Sequence, residues 1–219
     1  MIKIAIASNI NFYNKTLPIL IPSLIDSGIE EKDINVFIGG FNKYKKYEIS
    51  NIKYYELEHN SIDYTPLIEI CEKQIESEYW FLIHDTCKVG LNFKKLLYNI
   101  PSEKPEKLAL KTSPSMSIGS YRYDYLLSVR EKIISIKNSD YSESSLDQWK
   151  KWGVNNEDYI LWKTEPKPLI YNNINHFLVV DNNNWYNTGG QRRTEYYPSL
   201  DLYKNKANWG QSLNYKRTL

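Results

Sequence analysis

The residues most suited to chemistry in this 219-residue chain follow an apolar run at Tyr79–Ile83, where the sequence continues as His-Asp-Thr-Cys. Open α/β sheets build their ligand sites at the carboxyl ends of strands, so His84 and Asp85 are candidates for binding a ligand. Asp85 can also hold a hard cation such as Mg²⁺ or Mn²⁺, which neutralises a diphosphate, and Mn²⁺ accepts imidazole as well as oxygen. His176 is another possible ligand. The alternative interpretation is structural, with Asp85 capping a turn and each histidine packed against its neighbours.

A second acidic locus, Glu157 and Asp158, follows Asn155-Asn156 and precedes a predicted helix. A carboxylate in this position can act as a general base that takes the proton from an attacking hydroxyl. Acidic residues are also favoured electrostatically in the first turn of a helix. Both interpretations of the pair remain open from the sequence.

Two further segments have the composition of a nucleotide-binding site. Ala7, Ser8 and Asn9 end the first predicted strand, and such small residues let a base or a ribose lie against the backbone. Arg192 and Arg193 follow two glycines in the late part of the chain, where they are suited to clamping phosphates bidentately. An ordinary strand-to-loop turn and a solvated basic turn are the respective alternatives.

The elements that must position these residues alternate between strand and helix over the first 90 residues, which predicts an α/β fold with a mostly parallel central sheet flanked by helices. The predicted strands in this half are Ile2–Ala7, Ile34–Ile38, Lys53–Leu57 and Tyr79–Ile83, and the predicted helices are Lys15–Ser27 and Tyr64–Ser77. Beyond them we predict strands at Leu108–Lys111 and His176–Val180 and helices at Asn92–Asn99, Ser120–Lys137, Ser144–Lys151 and Asp158–Lys163. Residues 182–219 show little periodicity and are predicted to be a long loop or tail.

Composition excludes several classes of function. The 28 basic and 26 acidic residues nearly balance, which argues against a nucleic-acid or membrane-surface binder. The chain has neither G-x-G-x-x-G nor a P-loop motif, and it has no G-x-S-x-G nucleophile elbow. Its two cysteines lack metal-type spacing and suit free thiols, and no apolar run is long enough to span a membrane. The N-terminus turns polar too early for a signal peptide, so we expect a cytoplasmic protein.

Taken in order, four segments resemble a GT-A-type nucleotide-sugar glycosyltransferase, and they are most similar to the small GT-A domains encoded by large algal viruses. The segments are IAIASNINFYNKTLPILIPSL, NSIDYTPLIEICEKQIESEYWFLIHDTCKVG, SIGSYRYDYL and NNEDYILW. The resemblance implies one GT-A domain with a nucleotide-binding half at residues 1–100 and an acceptor half at 101–181. The tail would then cover residues 182–219, and such a domain is compatible with a part of a longer multidomain chain.

The resemblance also implies a UDP-sugar donor, a glycan acceptor and Mn²⁺ or Mg²⁺ as cofactor. Asp85 would hold the metal and the ribose, with His176 as a late metal ligand, and Asp63 would contact the nucleotide. Gly119 would open a helix that borders the donor sugar. Glu157 and Asp158 match the acidic pair of inverting members, with Asp158 as the base. The family motif is Asp-x-Asp, however, and here only Asp85 is acidic, which leaves the metal site under-filled.

Two other functions remain open from the sequence. A nucleotidyltransferase acting on sugar phosphates also uses an α/β sheet and a metal, but it would normally carry a Gly-rich basic loop after the first strand, which residues 8–15 lack. A non-catalytic carbohydrate-binding protein fits the 19 Tyr and 6 Trp of the chain, because these side chains stack on sugars. In the enzyme, Trp185 and Tyr186 would stack on the acceptor sugar.

Overall fold

A computed structural model describes residues 1–111, 117–138, 166–186 and 191–207. These residues form an eight-stranded mixed sheet flanked by helices and a second sheet of four antiparallel strands. The strands are β1 Ile2–Asn9, β2 Ile34–Gly39, β3 Lys45–Ile49, β4 Ile52–Leu57, β5 Tyr79–His84, β6 Cys87–Val89, β7 Lys107–Ala109, β8 Gly119–Arg122, β9 Leu169–Ile170, β10 Leu178–Asp181, β11 Arg192–Tyr197 and β12 Leu202–Ala207. The helices are α1 Tyr13–Asp26, α2 Thr65–Lys73, α3 Phe93–Leu97, α4 Tyr123–Ser128 and α5 Arg130–Ser135, with 3-10 turns at Glu31–Asp33, Ile62–Tyr64 and Tyr171–Asn173.

The large sheet has the strand order β3-β4-β2-β1-β5-β8-β7-β9. Its centre, β4-β2-β1-β5, is parallel, whereas β3 pairs antiparallel with β4 and β8 pairs antiparallel with both β5 and β7. The central strands β2 and β5 are buried along their whole length, as expected for parallel strands covered on both faces. The α/β class with flanking helices is therefore confirmed, and the sheet as a whole is mixed.

The order of the central strands reverses at the neighbouring strands β1 and β5. The chain proceeds from β1 to β2 and β4 on one side and then returns to place β5 on the other side of β1. Helix α1 packs in a core cluster with Ile4 and Ile6 of β1, while α2 packs in a second cluster with Ala5 and Ala7. Successive residues of a strand point to opposite faces, so the two helices cover opposite sides of the sheet. In open α/β sheets this reversal of direction marks the ligand crevice.

The small sheet has the order β10-β11-β12-β6, and it joins the large sheet through the two residues between β5 and β6. These residues are Asp85 and Thr86, and the backbone N–H of Asn205 in β12 donates to the Thr86 carbonyl oxygen at 2.9 Å. At the far end of β6, Gly90 N–H donates to the Asp201 carbonyl oxygen at 2.7 Å. A Cβ at Gly90 would lie 2.3 Å from Asp201 Oδ2, so only glycine fits there. The prediction of a loop or tail was therefore wrong for residues 192–207, which form two paired strands.

The structure also corrects the prediction of one helix over Ser120–Lys137. Residues Gly119–Arg122 form strand β8, which is inserted between β5 and β7 and pairs with both. The helical segment then follows as α4 and α5, which are separated at Val129 by a non-helical backbone conformation. The spacing of the aromatic residues in this stretch is typical of a helix, and it did not indicate that the first residues pair with β5 and β7 as a strand.

Other elements were predicted within a few residues of their observed bounds. Helix α2 ends at Lys73 rather than Ser77, because Gln74 adopts a left-handed conformation with φ of 51°. Strand β3 was missed, and it pairs with β4 through a two-residue turn at Ser50 and Asn51, both with positive φ. The helices predicted at Ser144–Lys151 and Asp158–Lys163 lie outside the described residues.

Both cysteines are buried free thiols, which confirms that they form no disulfide. Burial raises the pKa of the Cys87 thiol to about 11, so it is protonated and unreactive at neutral pH. Within the described ranges, no helix combines the length and the apolar character needed to cross a lipid bilayer.

Packing of α1 on the sheet predicts a large stability effect at Leu20, which is fully buried in the core cluster with Ile4 and Ile6. We expect Leu20→Ala to lower the free energy of unfolding by about 2–5 kcal/mol, because it removes apolar contacts and leaves a cavity. Urea unfolding measures this loss. Leu91→Ala is the matched control, since Leu91 is 77% exposed, and equal losses in the two variants would contradict this packing.

Candidate functional site

The carboxylate of Asp85 is anchored at the carboxyl ends of β1 and β5. Ser8 Oγ donates to Asp85 Oδ2 at 2.5 Å, and Thr16 Oγ1 of α1 donates to the same oxygen at 2.9 Å. The backbone N–H of Asp85 donates to the Ala7 carbonyl oxygen at 3.0 Å, which continues the pairing of the two strands past His84. The strand-end acid predicted from sequence is thus brought together with Ser8, and Thr16 is a partner that the sequence did not indicate.

Burial of Asp85 opposes its ionisation. Desolvation raises the pKa of this carboxyl above its ordinary value, while the hydrogen bonds from Ser8 and Thr16 and the charges of Lys204 and Arg192 act in the opposite direction. A buried carboxylate persists only with such compensation. The site therefore depends on positive charge supplied by the small sheet.

His84 lies at the centre of a polar chain that runs from the surface to the interior. Lys204 Nζ donates to His84 Nδ1 at 2.8 Å and to Thr86 Oγ1 at 2.5 Å. Because an ammonium only donates, Nδ1 must accept, and the ring proton is assigned to Nε2. Nε2 lies 3.4 Å from Asp63 Oδ1, whose side chain is 41% exposed. Asp63, His84 and Asp85 are therefore brought to one edge of the sheet, and Lys204 is a neighbour of theirs that the sequence did not indicate.

The end of β1 is shaped by small residues. Ala7 is buried and pairs with His84 and with Phe37 on its two sides. Asn9 is half-buried, and its Oδ1 accepts from the backbone N–H of Asn11 at 3.0 Å, so its side chain directs the turn that leaves the strand. Of the three residues that end this strand, Ala7 and Ser8 are buried and Asn9 is half-buried.

The two predicted phosphate-binding arginines have different environments in β11. Arg193 is ion-paired with the buried Glu195, with Nε and Nη2 at 2.9 and 2.5 Å from Oε1. Arg192 is buried, donates from Nη1 to the Asn205 carbonyl oxygen at 3.0 Å, and acts electrostatically on Asp85. Both lie in a strand rather than in the predicted loop. Of the two arginines, Arg192 is the one whose charge lowers the pKa of Asp85.

The remaining predicted residues are placed as follows. Tyr186 is buried, with its hydroxyl 3.5 Å from the Asp85 carbonyl oxygen, and the Trp185 ring lies under Lys88 Nζ at 4.8 Å. Gly119 is buried in β8, paired with Leu82, so it does not open a helix. Glu157 and Asp158 lie outside the described residues, and their roles stay predictions.

The described residues around Asp85 do not fit a divalent cation. Mg²⁺ bound together with a nucleotide takes one or two protein carboxylates in addition to the substrate phosphates and waters. Asp85 Oδ2, however, already accepts hydrogen bonds from Ser8 and Thr16. Within the described ranges no three His, Cys, Asp or Glu side chains are grouped to hold a metal, and His176 is exposed ahead of β10. His84 Nδ1 accepts from Lys204, whose ammonium would repel a cation. No step of the reaction is therefore derived through Mn²⁺ or Mg²⁺.

A separate polar cleft of about 310 Å³ opens beyond the end of β4. It is lined by Tyr44, Leu57, Glu58, His59, Glu69, Glu72, Lys73 and Lys137. His59 is buried, its Nδ1 lies 3.1 Å from Ser61 Oγ, and desolvation lowers its pKa to about 4. This histidine is neutral at physiological pH.

Comparison with known proteins assigns no family to this arrangement. No family model and no curated protein matches the chain. No relative therefore supplies site residues for this chain, and the candidate site is inferred from the contacts between Asp85, His84 and their neighbours.

The burial of His59 predicts acid sensitivity. The unfolded chain binds a proton at this ring below its ordinary pKa of 6.5, whereas the folded chain does so only near 4. Stability should therefore fall as the pH drops between these values, with a His59 contribution of about 2–3 kcal/mol at the acid end. Urea unfolding at pH 7.5 and 4.5 should show a smaller loss in His59→Gln than in the wild type. His176→Gln, which alters an exposed histidine, should lose as much as the wild type, and equal losses in all three proteins would contradict the assignment.

Proposed function

We propose that this chain is a GT-A-type glycosyltransferase that binds a nucleoside-diphosphate sugar, with UDP as the expected nucleotide, between β1 and β5. The observation that carries the proposal is the convergence of Ser8, Asp63, His84 and Asp85 at the carboxyl edge of the central strands, where the strand order reverses. Ligands of open α/β sheets bind at this reversal. Four polar residues from three separate chain segments meet there.

The contacts of these residues suit a nucleoside. The partly exposed carboxylate of Asp63 can accept hydrogen bonds from ribose hydroxyls, and its Oδ1 lies 3.4 Å from His84 Nε2. At the end of β1, the half-buried Asn9 follows the small residues Ala7 and Ser8, so no large side chain of this strand end stands in the way of a ligand. The nucleotide would therefore lie along the ends of β1 and β5, with its phosphates toward the small sheet.

The proposed reaction is a single displacement at the anomeric carbon. A hydroxyl of the glycan acceptor forms the new bond to this carbon while the bond to the phosphate oxygen breaks, and the electron pair leaves with the nucleoside diphosphate. Asp158 takes the proton of the hydroxyl, supported by its neighbour Glu157. Attack from the face opposite the leaving group inverts the anomeric configuration.

A panel of ligands tests this function against its alternatives. We expect UDP and UDP-sugars to raise the melting temperature, because a ligand that binds only the folded state stabilises it by mass action. We also expect slow release of UDP from a UDP-sugar in the absence of acceptor. Pyrophosphate release from a nucleoside triphosphate would instead indicate a nucleotidyltransferase, and stabilisation by glycans without nucleotides would indicate a carbohydrate-binding protein.

Asp63 should contribute directly to nucleotide affinity. We expect Asp63→Asn to weaken UDP binding by about tenfold or more, because a hydrogen bond to a charged group contributes about 1.5–3 kcal/mol. Isothermal titration calorimetry measures the change. Asp124→Asn is the control, since Asp124 is an exposed aspartate that bonds Arg122 away from the site. Unchanged UDP affinity in Asp63→Asn would contradict the placement of the nucleotide.

Asp158 should act on the chemical step rather than on binding. We expect Asp158→Asn to lower the rate of sugar transfer by about 10²–10⁴-fold, the usual loss when a general base is removed. UDP affinity should stay unchanged, and Glu131→Gln, at an exposed position, should leave both quantities unchanged. Normal turnover of Asp158→Asn would overturn its role as base.

A further inference from the structure

Lys204 is a buried cation without an ion-pair partner among the described residues. It is 6% exposed, and its ammonium donates to two uncharged acceptors, His84 Nδ1 and Thr86 Oγ1. Glu195 lies opposite Lys204 in the pairing of β11 with β12. Its carboxylate is already engaged, however, because Oε1 contacts Arg193 and Lys206 and Oε2 accepts from Tyr197. Lysine is rarely buried without a counter-charge, so this arrangement requires an explanation.

Asp85 offsets the charge of the ammonium only in part, because Arg192 acts on the same carboxylate. The position of the ammonium suggests which further anion would complete the compensation. The two acceptors of Lys204 are the residues on either side of Asp85, so the ammonium lies at the carboxyl end of β5, in the proposed ligand crevice. An ammonium has three donor hydrogens, and these two bonds use two of them. Phosphate oxygens form short, strong hydrogen bonds with such a donor.

Arg192 adds a second buried positive charge to the same place. It is 5% exposed, and its charge acts on Asp85 together with that of Lys204. The exposed Asp63 is separated from Lys204 by the neutral His84 ring. A region with two cations around one buried acid attracts a diphosphate and repels a metal ion.

We infer that Lys204, assisted by Arg192, binds and neutralises the diphosphate of the donor, so that nucleotide binding at this site requires no divalent cation. The inference rests on the proposed function and replaces the metal expected from the resemblance. During transfer, the electron pair of the breaking bond stays on the leaving diphosphate. Lys204 and Arg192 are held in place by their bonds to His84, Thr86 and Asn205, and preorganised cations near a developing negative charge stabilise the transition state.

The metal requirement is tested on the wild-type chain alone. UDP affinity is measured by calorimetry in buffer with EDTA and in buffer with Mn²⁺. We expect the two dissociation constants to agree within about twofold, because Lys204 and Arg192 neutralise the diphosphate in both buffers. Binding seen only with Mn²⁺ would overturn the inference and leave the proposed function standing. Absence of UDP binding in both buffers would overturn the proposed function itself.

The role of Lys204 is tested with Lys204→Met, which keeps the length of the side chain and removes its charge. We expect UDP affinity to fall by about tenfold or more, the effect of losing a hydrogen bond to a charged group, and Lys204→Arg to restore part of it. Uridine, which lacks phosphates, should bind the wild type and Lys204→Met equally, and a purely structural role of Lys204 would weaken both ligands. Lys206→Met is the matched control, because Lys206 lies on the same strand but faces Glu195. UDP affinity in Lys204→Met equal to that of the wild type would overturn the assignment.

Discussion

The hydrogen bonds from Ser8 and Thr16 to the buried carboxylate of Asp85 are the interaction on which the rest of this site depends. They join the first strand, the first helix and the end of β5 at one point. Asp85 also begins the link by which the chain leaves the large sheet and enters the small one. A buried carboxylate is unfavourable unless several groups compensate it, so this point constrains both sheets at once.

That constraint explains why the small sheet matters for function. Strand β12 pairs with β6, and this pairing brings Lys204 to the residues that flank Asp85. Arg192 on the neighbouring strand adds a second charge that favours ionised Asp85. The large sheet thus supplies the acid and the crevice, and the small sheet supplies the cations. This polarity favours an anionic ligand, and the diphosphate of the proposed donor is one.

The neutral His84 separates the two kinds of charge. Its ring accepts from Lys204 on one side and approaches Asp63 on the other, so the positive interior and the acidic surface are connected without a direct ion pair. An exposed acid suits ribose hydroxyls, and an interior cation suits phosphates. The order of these groups from the surface inward matches the order of the parts of a nucleoside diphosphate.

The sequence predicted those strands and helices whose own residues carry a clear apolar pattern. The apolar runs of β1, β2 and β5, alternating with helices, predicted the parallel centre of the sheet, because a strand buried on both faces is apolar along its whole length. The abrupt end of the apolar run in β5 located Asp85. Strand β3 was also readable in principle, since a two-residue turn at Ser50-Asn51 separates two alternating segments.

By itself, then, the sequence determined the α/β class and the position of His84 and Asp85 at the end of a buried strand. Only the tertiary structure decided that Gly119–Arg122 is a strand, that residues 192–207 form a sheet and that Lys204 reaches the site. Strands β8, β11 and β12 consist largely of polar and aromatic residues, and β8 and β12 pair with partners distant along the chain, β5 and β6. Such pairing leaves no periodic signal in the segment itself, so the charge that completes the site could not be located before the sheets were assembled.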